Sequence, residues 1–167
     1  MKPRVIAEGG VMIALALVLS YIRIYHLPQG GSITAGSMVP ILIFALRRER
    51  WVAIVVAILY GVVQFLQEPI VYHPVQVLLD YPIAFGALGL ATLFKKQPVL
   101  GVVVGIAGRF IAHLCAGAIF FAEYAPEGMS PWIYSAIYNG SYLLGELVVS
   151  VILIYILIKK GILELYK

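Results

Sequence analysis

The sequence predicts an all-α membrane protein. Six transmembrane helices form a single domain over residues 1–167, with both termini cytoplasmic. Three observations carry this reading. The chain is 62% hydrophobic, with a mean hydropathy of +0.99, more apolar surface than a soluble domain of this length can hide. Its apolar residues fall into six stretches. Ten of its 12 Lys and Arg residues sit at one side of those stretches, as Lys2/Arg4, Arg47/Arg48/Arg50, Lys95/Lys96 and Lys159/Lys160/Lys167. The connections around His26–Ala35, Gln67–Val75 and Glu123–Pro131 carry neither Lys nor Arg. Cytoplasmic loops hold the basic excess, so these clusters mark the inside. The formal charge of +4 is a topology signal in contact with the lipid bilayer, not a nucleic-acid footprint.

The expected spans are Val5–Tyr25, Ser37–Leu46, Trp51–Leu66, Val75–Phe94, Val99–Phe121 and Trp132–Ile158. All are expected to be helices, because lipid offers no partner to an open backbone. The first runs to about Ile24 without an A-x-A-like cleavage site and reads as an uncleaved helix. The second is short: about ten residues rise about 15 Å, half the hydrocarbon core. Either it starts earlier, or an irregular stretch from Gln29 to Gly36 completes the crossing while packed on protein. Arg47–Arg50 makes a tight cytoplasmic turn into the third span. Pro98 and Pro131 stand where helices begin. Pro40 and Pro82 fall in a first turn or an interior and predict kinks.

Polar residues inside the spans point to a site. Asp80 lies about 9 Å below the outer end of span four, His113 about 13 Å below that of span five, and Asn139 about 12 Å below that of span six. Three polar groups on three helices thus share one level. Polar residues in spans usually face the bundle interior or a watery cavity, so the pattern predicts an outward-opening pocket. Arg109, His113, Gly117 and Phe121 recur every four residues as one stripe. Ser135, Asn139, Tyr142 and Glu146 share a face of span six, flanked by Tyr134 and Tyr138. Gln76 lies one turn before Asp80, with Tyr81 beside it. This inventory suits a flat, cationic, hydrogen-bonding heterocycle.

Plainer readings stand beside these. Tyr72, Tyr134 and Trp132 also fit an interfacial aromatic belt. Arg109 and Glu146 also fit a structural ion pair. Asn139 fits interhelical glue, and His113 a satisfied core histidine. Arg23 reads as snorkelling outward, and Glu8 and Glu68 as wetted span ends. Small residues form a second pattern: Gly10-x-x-x-Ala14, Ala16-x-x-x-Ser20 and Gly101-x-x-x-Gly105 allow close helix approach. On span one this suits docking to another membrane protein. Cys115 is alone, so no disulfide or Cys-based metal site is expected. The sequence has no G-x-x-x-x-G-K-[ST], H-E-x-x-H or G-x-S-x-G motif. No cofactor, no metal and no enzyme activity are expected. A small intramembrane enzyme using Asp80, His113 and Glu146 is the alternative from another class.

Three segments resemble one known family. They are Gly36-Ser37-Met38-Val39-Pro40 running to Arg47-Arg48, Gln76-Val77-Leu78-Leu79-Asp80-Tyr81 running to Phe85, and the Arg109/His113/Gly117 stripe followed by Tyr134 and Asn139. The chain resembles, over essentially its whole length, the thiamine-specific S-components of energy-coupling factor (ECF) transporters. The resemblance implies a multi-pass substrate-capture subunit in the bacterial plasma membrane. Its outward-facing site, closed by the first loop, binds thiamine; the alternative is another ring vitamin or a thiamine precursor. It implies a membrane scaffold and two cytosolic ATPases as partners. Gly10, Ala14, Ala16 and Ser20 on helix one would dock them. The family's binding carboxylate and adjacent tyrosine fall on Asp80 and Tyr81. Its helix-five basic residue falls on Arg109 and its stacking histidine on His113. Its helix-six tyrosine and asparagine fall on Tyr134 and Asn139, and an outer tyrosine on Tyr72. Gly117 and Tyr138 complete the expected site. Asp80 replaces a frequent Glu, and Phe121 stands where the family carries Trp. A first-loop Trp has no match near Gly30-Gly31, which leaves Tyr25, His26 or another loop group as candidates for that stacking face.

Overall fold

The computed structural model describes residues 2–161. Lys167 of the last basic cluster, and Glu164, lie outside the described residues. Six helices are arranged in chain order: α1 (Pro3–Ser20), α2 (Val39–Arg47), α3 (Arg50–Gln67), α4 (Pro74–Phe94), α5 (Pro98–Phe120) and α6 (Pro131–Lys159). Five of them are long and apolar enough to cross a membrane; α2 is not. Proline occupies the first turn of α1, α2, α4, α5 and α6, where its missing N–H leaves no bond unmade.

The first span ends five residues earlier than expected, at Ser20 rather than Tyr25. Arg23–His26 (β1) instead pairs antiparallel with Ser32–Thr34 (β2), in the register Arg23↔Thr34, Tyr25↔Ile33 and His26↔Ser32, with a bulge between Arg23 and Tyr25. An all-helical reading missed this hairpin. Its four β1 residues are exposed, so their sequence shows no buried alternation from which a strand could be read. The hairpin meets the backbone requirement of its setting. Leu27 N–H donates to Gly31 O, Ala35 N–H to Ile22 O, Gly31 N–H to the Tyr138 hydroxyl and Thr34 N–H to Glu146.

The second expected span is a short helix preceded by the hairpin, not a helix that starts earlier. α2 has only nine residues, about 14 Å of helix. All of Val39–Leu46 is buried, so α2 is a central post surrounded by the longer helices. Phe44, Leu42, Ile41 and Leu46 are fully buried there, with Ala57 and Tyr60 of α3 and Leu88 of α4. Gly36, at φ +92°, turns the chain from hairpin into post, a left-handed conformation that glycine adopts without penalty.

α4 changes pitch along its length. Pro74–Leu78 is α-helical, Leu79–Ile83 opens into a π turn around Pro82, and Ala87–Phe94 tightens to 3₁₀. Proline cannot donate to the ladder, and π turns concentrate at functional sites. Asp80 and Tyr81 sit on this turn.

The two ends of the bundle differ. At one end Glu8 pairs with Arg48 and, at 3.8 Å, with Arg47, and Thr92 donates to Arg48 O. This gathers the first three basic clusters at one face. Glu8 is therefore a partly buried ion-pair partner rather than a wetted span end. At the other end Arg23 pairs with Glu68, tying the hairpin to the end of α3 instead of snorkelling alone.

Candidate functional site

A cavity of about 180 Å³ opens at the Arg23–Glu68 end. Its walls come from α3, α4, α5, α6 and the hairpin. Nine of the ten expected site residues line it: Asp80, Tyr81, Arg109, His113, Gly117, Phe121, Tyr134, Tyr138 and Asn139. Tyr72 does not. It lies outside, half-exposed, with its ring against Phe121 at 4.7 Å and its hydroxyl 2.5 Å from that of Tyr124. Its role is thus to back the Phe121 wall. The hydrogen bond to Tyr124, reinforced by partial desolvation, holds the Tyr72 phenol above its ordinary pKa.

One polar chain organises the interior. Arg109 Nε donates to His113 Nε2 at 3.1 Å. That nitrogen is therefore an acceptor, and the proton of the neutral ring sits on Nδ1. His113 Nδ1 then donates to Asp80 Oδ1 at 2.9 Å. Gln76 Nε2 donates to Asp80 Oδ2 at 2.8 Å. Gln76 is itself fully buried and cannot turn over: its Oε1 accepts from Tyr72 N–H at 3.0 Å and its Nε2 also reaches Ile70 O at 3.2 Å. Both oxygens of Asp80 thus meet neutral donors. The carboxylate is oriented without being neutralised.

The guanidinium of Arg109 is held elsewhere. It lies 4.0 Å over the Phe85 ring and donates from Nη1 to Met38 Sδ at 2.9 Å. The alternative ion pair with Glu146 does not form. Glu146 Oε1 accepts instead from Thr34 N–H at 2.5 Å and the Thr34 hydroxyl at 2.7 Å.

α6 supplies the opposite wall. Tyr134 and Tyr138 stack with ring centroids 6.2 Å apart, and Tyr138 meets Tyr142 edge-on at 5.9 Å. Tyr138 also donates to Pro28 O, fastening the first loop over the cavity. Asn139 is engaged at both ends: Nδ2 donates to Ser135 O at 2.9 Å and His113 O at 3.4 Å, while Oδ1 accepts from the Tyr142 hydroxyl at 2.9 Å. Only the bond to His113 O crosses to α5; the other two stay within α6 and fix the amide at the cavity wall. Gly117 permits the α5–α6 approach, since a Cβ there would lie 2.2 Å from Ser135 Oγ.

The first-loop stacking face is not filled by Tyr25 or His26, which are exposed and do not line the cavity. Gln29, Gly30 and Gly31 take that position. A Cβ on Gly31 would stand 2.8 Å from the Tyr142 ring and 2.9 Å from the Tyr138 hydroxyl. No side chain fits there while both tyrosines stay. On α1, Gly10 and Ala14 face outward, but Ala16 and Ser20 are buried. Ala16 O accepts from Tyr60, and Ser20 Oγ lies 3.0 Å from Gln67 Oε1. Ala16 and Ser20 are thereby withdrawn from the expected docking face.

Sequence reasoning missed Gln64 and Gln67, which line the cavity from α3, and placed Glu146 on the Asn139 face of span six without counting it among the binding residues. The signal was available for the glutamines. They lie three residues apart near the outer end of span three, on the same face as Tyr60, to whose hydroxyl Gln64 donates at 2.5 Å.

Comparison with known proteins agrees with this architecture. The family model described as "Thiamine transporter protein (Thia_YuaJ)" matches residues 6–163. The thiamine transporter ThiT of Bacillus subtilis is 32% identical, over 90% of this chain and 88% of that protein. ThiT of Lacticaseibacillus paracasei is 30% identical, over 92% of this chain and 86% of the relative. The solved structure of ThiT from Listeria monocytogenes superimposes with a TM-score of 0.84 at 28% identity, covering 93% of each chain. With a match along nearly its whole length, the chain belongs to the thiamine transporter protein family.

Proposed function

We propose that the chain is the substrate-capture subunit of an ATP-driven vitamin uptake system, and that it binds thiamine in the cavity around Asp80. The observation that carries this reading is the carboxylate itself. Asp80 is oriented by His113 and Gln76, both neutral, and faces a cavity walled by Phe85, Phe121 and three α6 tyrosines. A permanent cation on a flat ring complements that arrangement: charge for the carboxylate, π faces for the ring. Thiamine carries such a cation on its thiazolium and hydrogen-bond donors on its aminopyrimidine.

The protein captures and delivers; it performs no covalent step. The cavity faces the outside of a bacterial plasma membrane, with the basic clusters and both termini in the cytoplasm, in accord with the charge distribution. A membrane scaffold and two cytosolic ATPases supply the energy, since the chain carries no nucleotide motif of its own. The outward face of α1 around Gly10 and Ala14 is the docking surface, because small residues admit a close helix partner. Calorimetry on the detergent-purified protein tests the reading. Thiamine binds without ATP, while a neutral ring vitamin such as riboflavin binds much more weakly. Riboflavin preferred over thiamine would overturn the assignment in favour of another ring vitamin.

A further inference from the structure

Glu146 stands apart from the network that organises Asp80. It is 2% exposed, on α6, and lines the cavity. Oε1 takes both donors of Thr34. Oε2 is buried with no hydrogen-bond partner in the protein. An idle buried carboxylate oxygen is costly, and such atoms call for an explanation. Oε1 already takes two donors, so Oε2 is the oxygen left open to the cavity. Arg109 shares the cavity but is turned to His113, Met38 and Phe85.

The charge count follows from these placements. Arg23 and Glu68 cancel one another at the rim. Inside, Asp80 and Glu146 stand against the single guanidinium of Arg109. With both carboxylates ionised, the inner cavity holds one negative charge in excess. We propose that Glu146 is a second ligand-facing carboxylate, and that the cavity is matched to an organic ligand of net charge +1 with a hydrogen-bond donor for Glu146 Oε2. This rests on the reading of the cavity as the thiamine site and assigns it a second electrostatic anchor.

The test compares thiamine with deazathiamine, the uncharged isostere in which carbon replaces the thiazolium nitrogen. Both are titrated by calorimetry into wild type, Glu146→Gln and Glu146→Asp, with folding checked by gel filtration and circular dichroism. Glu146→Gln should reduce the thiamine-to-deazathiamine affinity ratio at least tenfold, the effect of a unit charge about 12 Å away through an effective dielectric constant of about 20; a closer charge gives more. Glu146→Asp keeps the charge and should keep the ratio. A purely structural role, such as holding Thr34 and the hairpin, would weaken both ligands by the same factor. An unchanged ratio in folded Glu146→Gln therefore overturns the proposal while leaving the thiamine reading intact. A wild type that binds neither ligand overturns both. If Glu146→Gln does not fold, the uncharged and similarly sized Glu146→Met serves instead, and an unchanged thiamine-to-deazathiamine ratio in it overturns the proposal.

Discussion

Replacing Asp80 by Asn keeps the shape of the side chain and removes its charge. Both partners of the carboxylate are donors: His113 Nδ1 at 2.9 Å and Gln76 Nε2 at 2.8 Å. An asparagine can satisfy only one of them, and its own amide N–H₂ must face the other. Neither partner adapts easily. Gln76 is locked by Tyr72 N–H and Ile70 O, and His113 Nε2 is occupied by Arg109. The ligand also loses its anionic contact. Hydrogen bonds to charged groups contribute about 1.5–3 kcal/mol. Two unit charges about 5 Å apart at an effective dielectric constant of about 20 contribute about 3 kcal/mol. The loss should therefore be at least tenfold in thiamine affinity, since about 1.4 kcal/mol is one decade. Calorimetry on detergent-purified Asp80→Asn measures it, with ligand-free thermal unfolding as the check on folding. Asp80→Glu retains the charge and should retain most of the affinity. A folded Asp80→Asn protein with wild-type affinity would refute the argument, because it would place the carboxylate outside the ligand's reach.

Other positions separate packing from binding. Gly117→Ala pushes a methyl group to 2.2 Å from Ser135 Oγ and should lower stability by about 1–3 kcal/mol, read as a drop in melting temperature; an unchanged melting temperature would show that α5 and α6 part without cost. Ala14→Trp should abolish thiamine accumulation in vesicles containing scaffold and ATPases while sparing binding in detergent, since Ala14 faces outward. Ala16→Trp should instead impair folding, because Ala16 is fully buried; equal behaviour of the two would remove the distinction between the faces. In a Cys115→Ser background, a membrane-impermeant thiol reagent should label Glu127→Cys and not Arg48→Cys in intact cells, and external labelling at position 48 would invert the orientation.

Much of this protein was legible along the chain. Membrane class and five of the six expected spans follow from apolar length, which acts locally through the cost of burying charge and backbone in lipid; the remaining span is the short α2. The shared depth of Asp80, His113 and Asn139 was legible too, because helical rise converts sequence position into depth. The stripes Arg109/His113/Gly117/Phe121 and Ser135/Asn139/Tyr142/Glu146 reach one cavity for the same reason. Other features depend on which helix meets which, and no periodicity records that. Ala16 and Ser20 look like Gly10 and Ala14 in sequence, yet α3 covers the first pair and leaves the second exposed. β1 is exposed throughout and held by its backbone pairing with β2, so its residues carry no buried alternation to read as a strand. Glu146 reads as a partner for Arg109, since opposite charges at like depth attract. In the bundle Glu146 meets the two donors of Thr34, and Arg109 turns to His113, Met38 and Phe85. Depth and chemistry are properties of a residue and its helix; the choice among competing partners belongs to the packed bundle, where a buried polar group bonds to whichever partner the packing brings within reach.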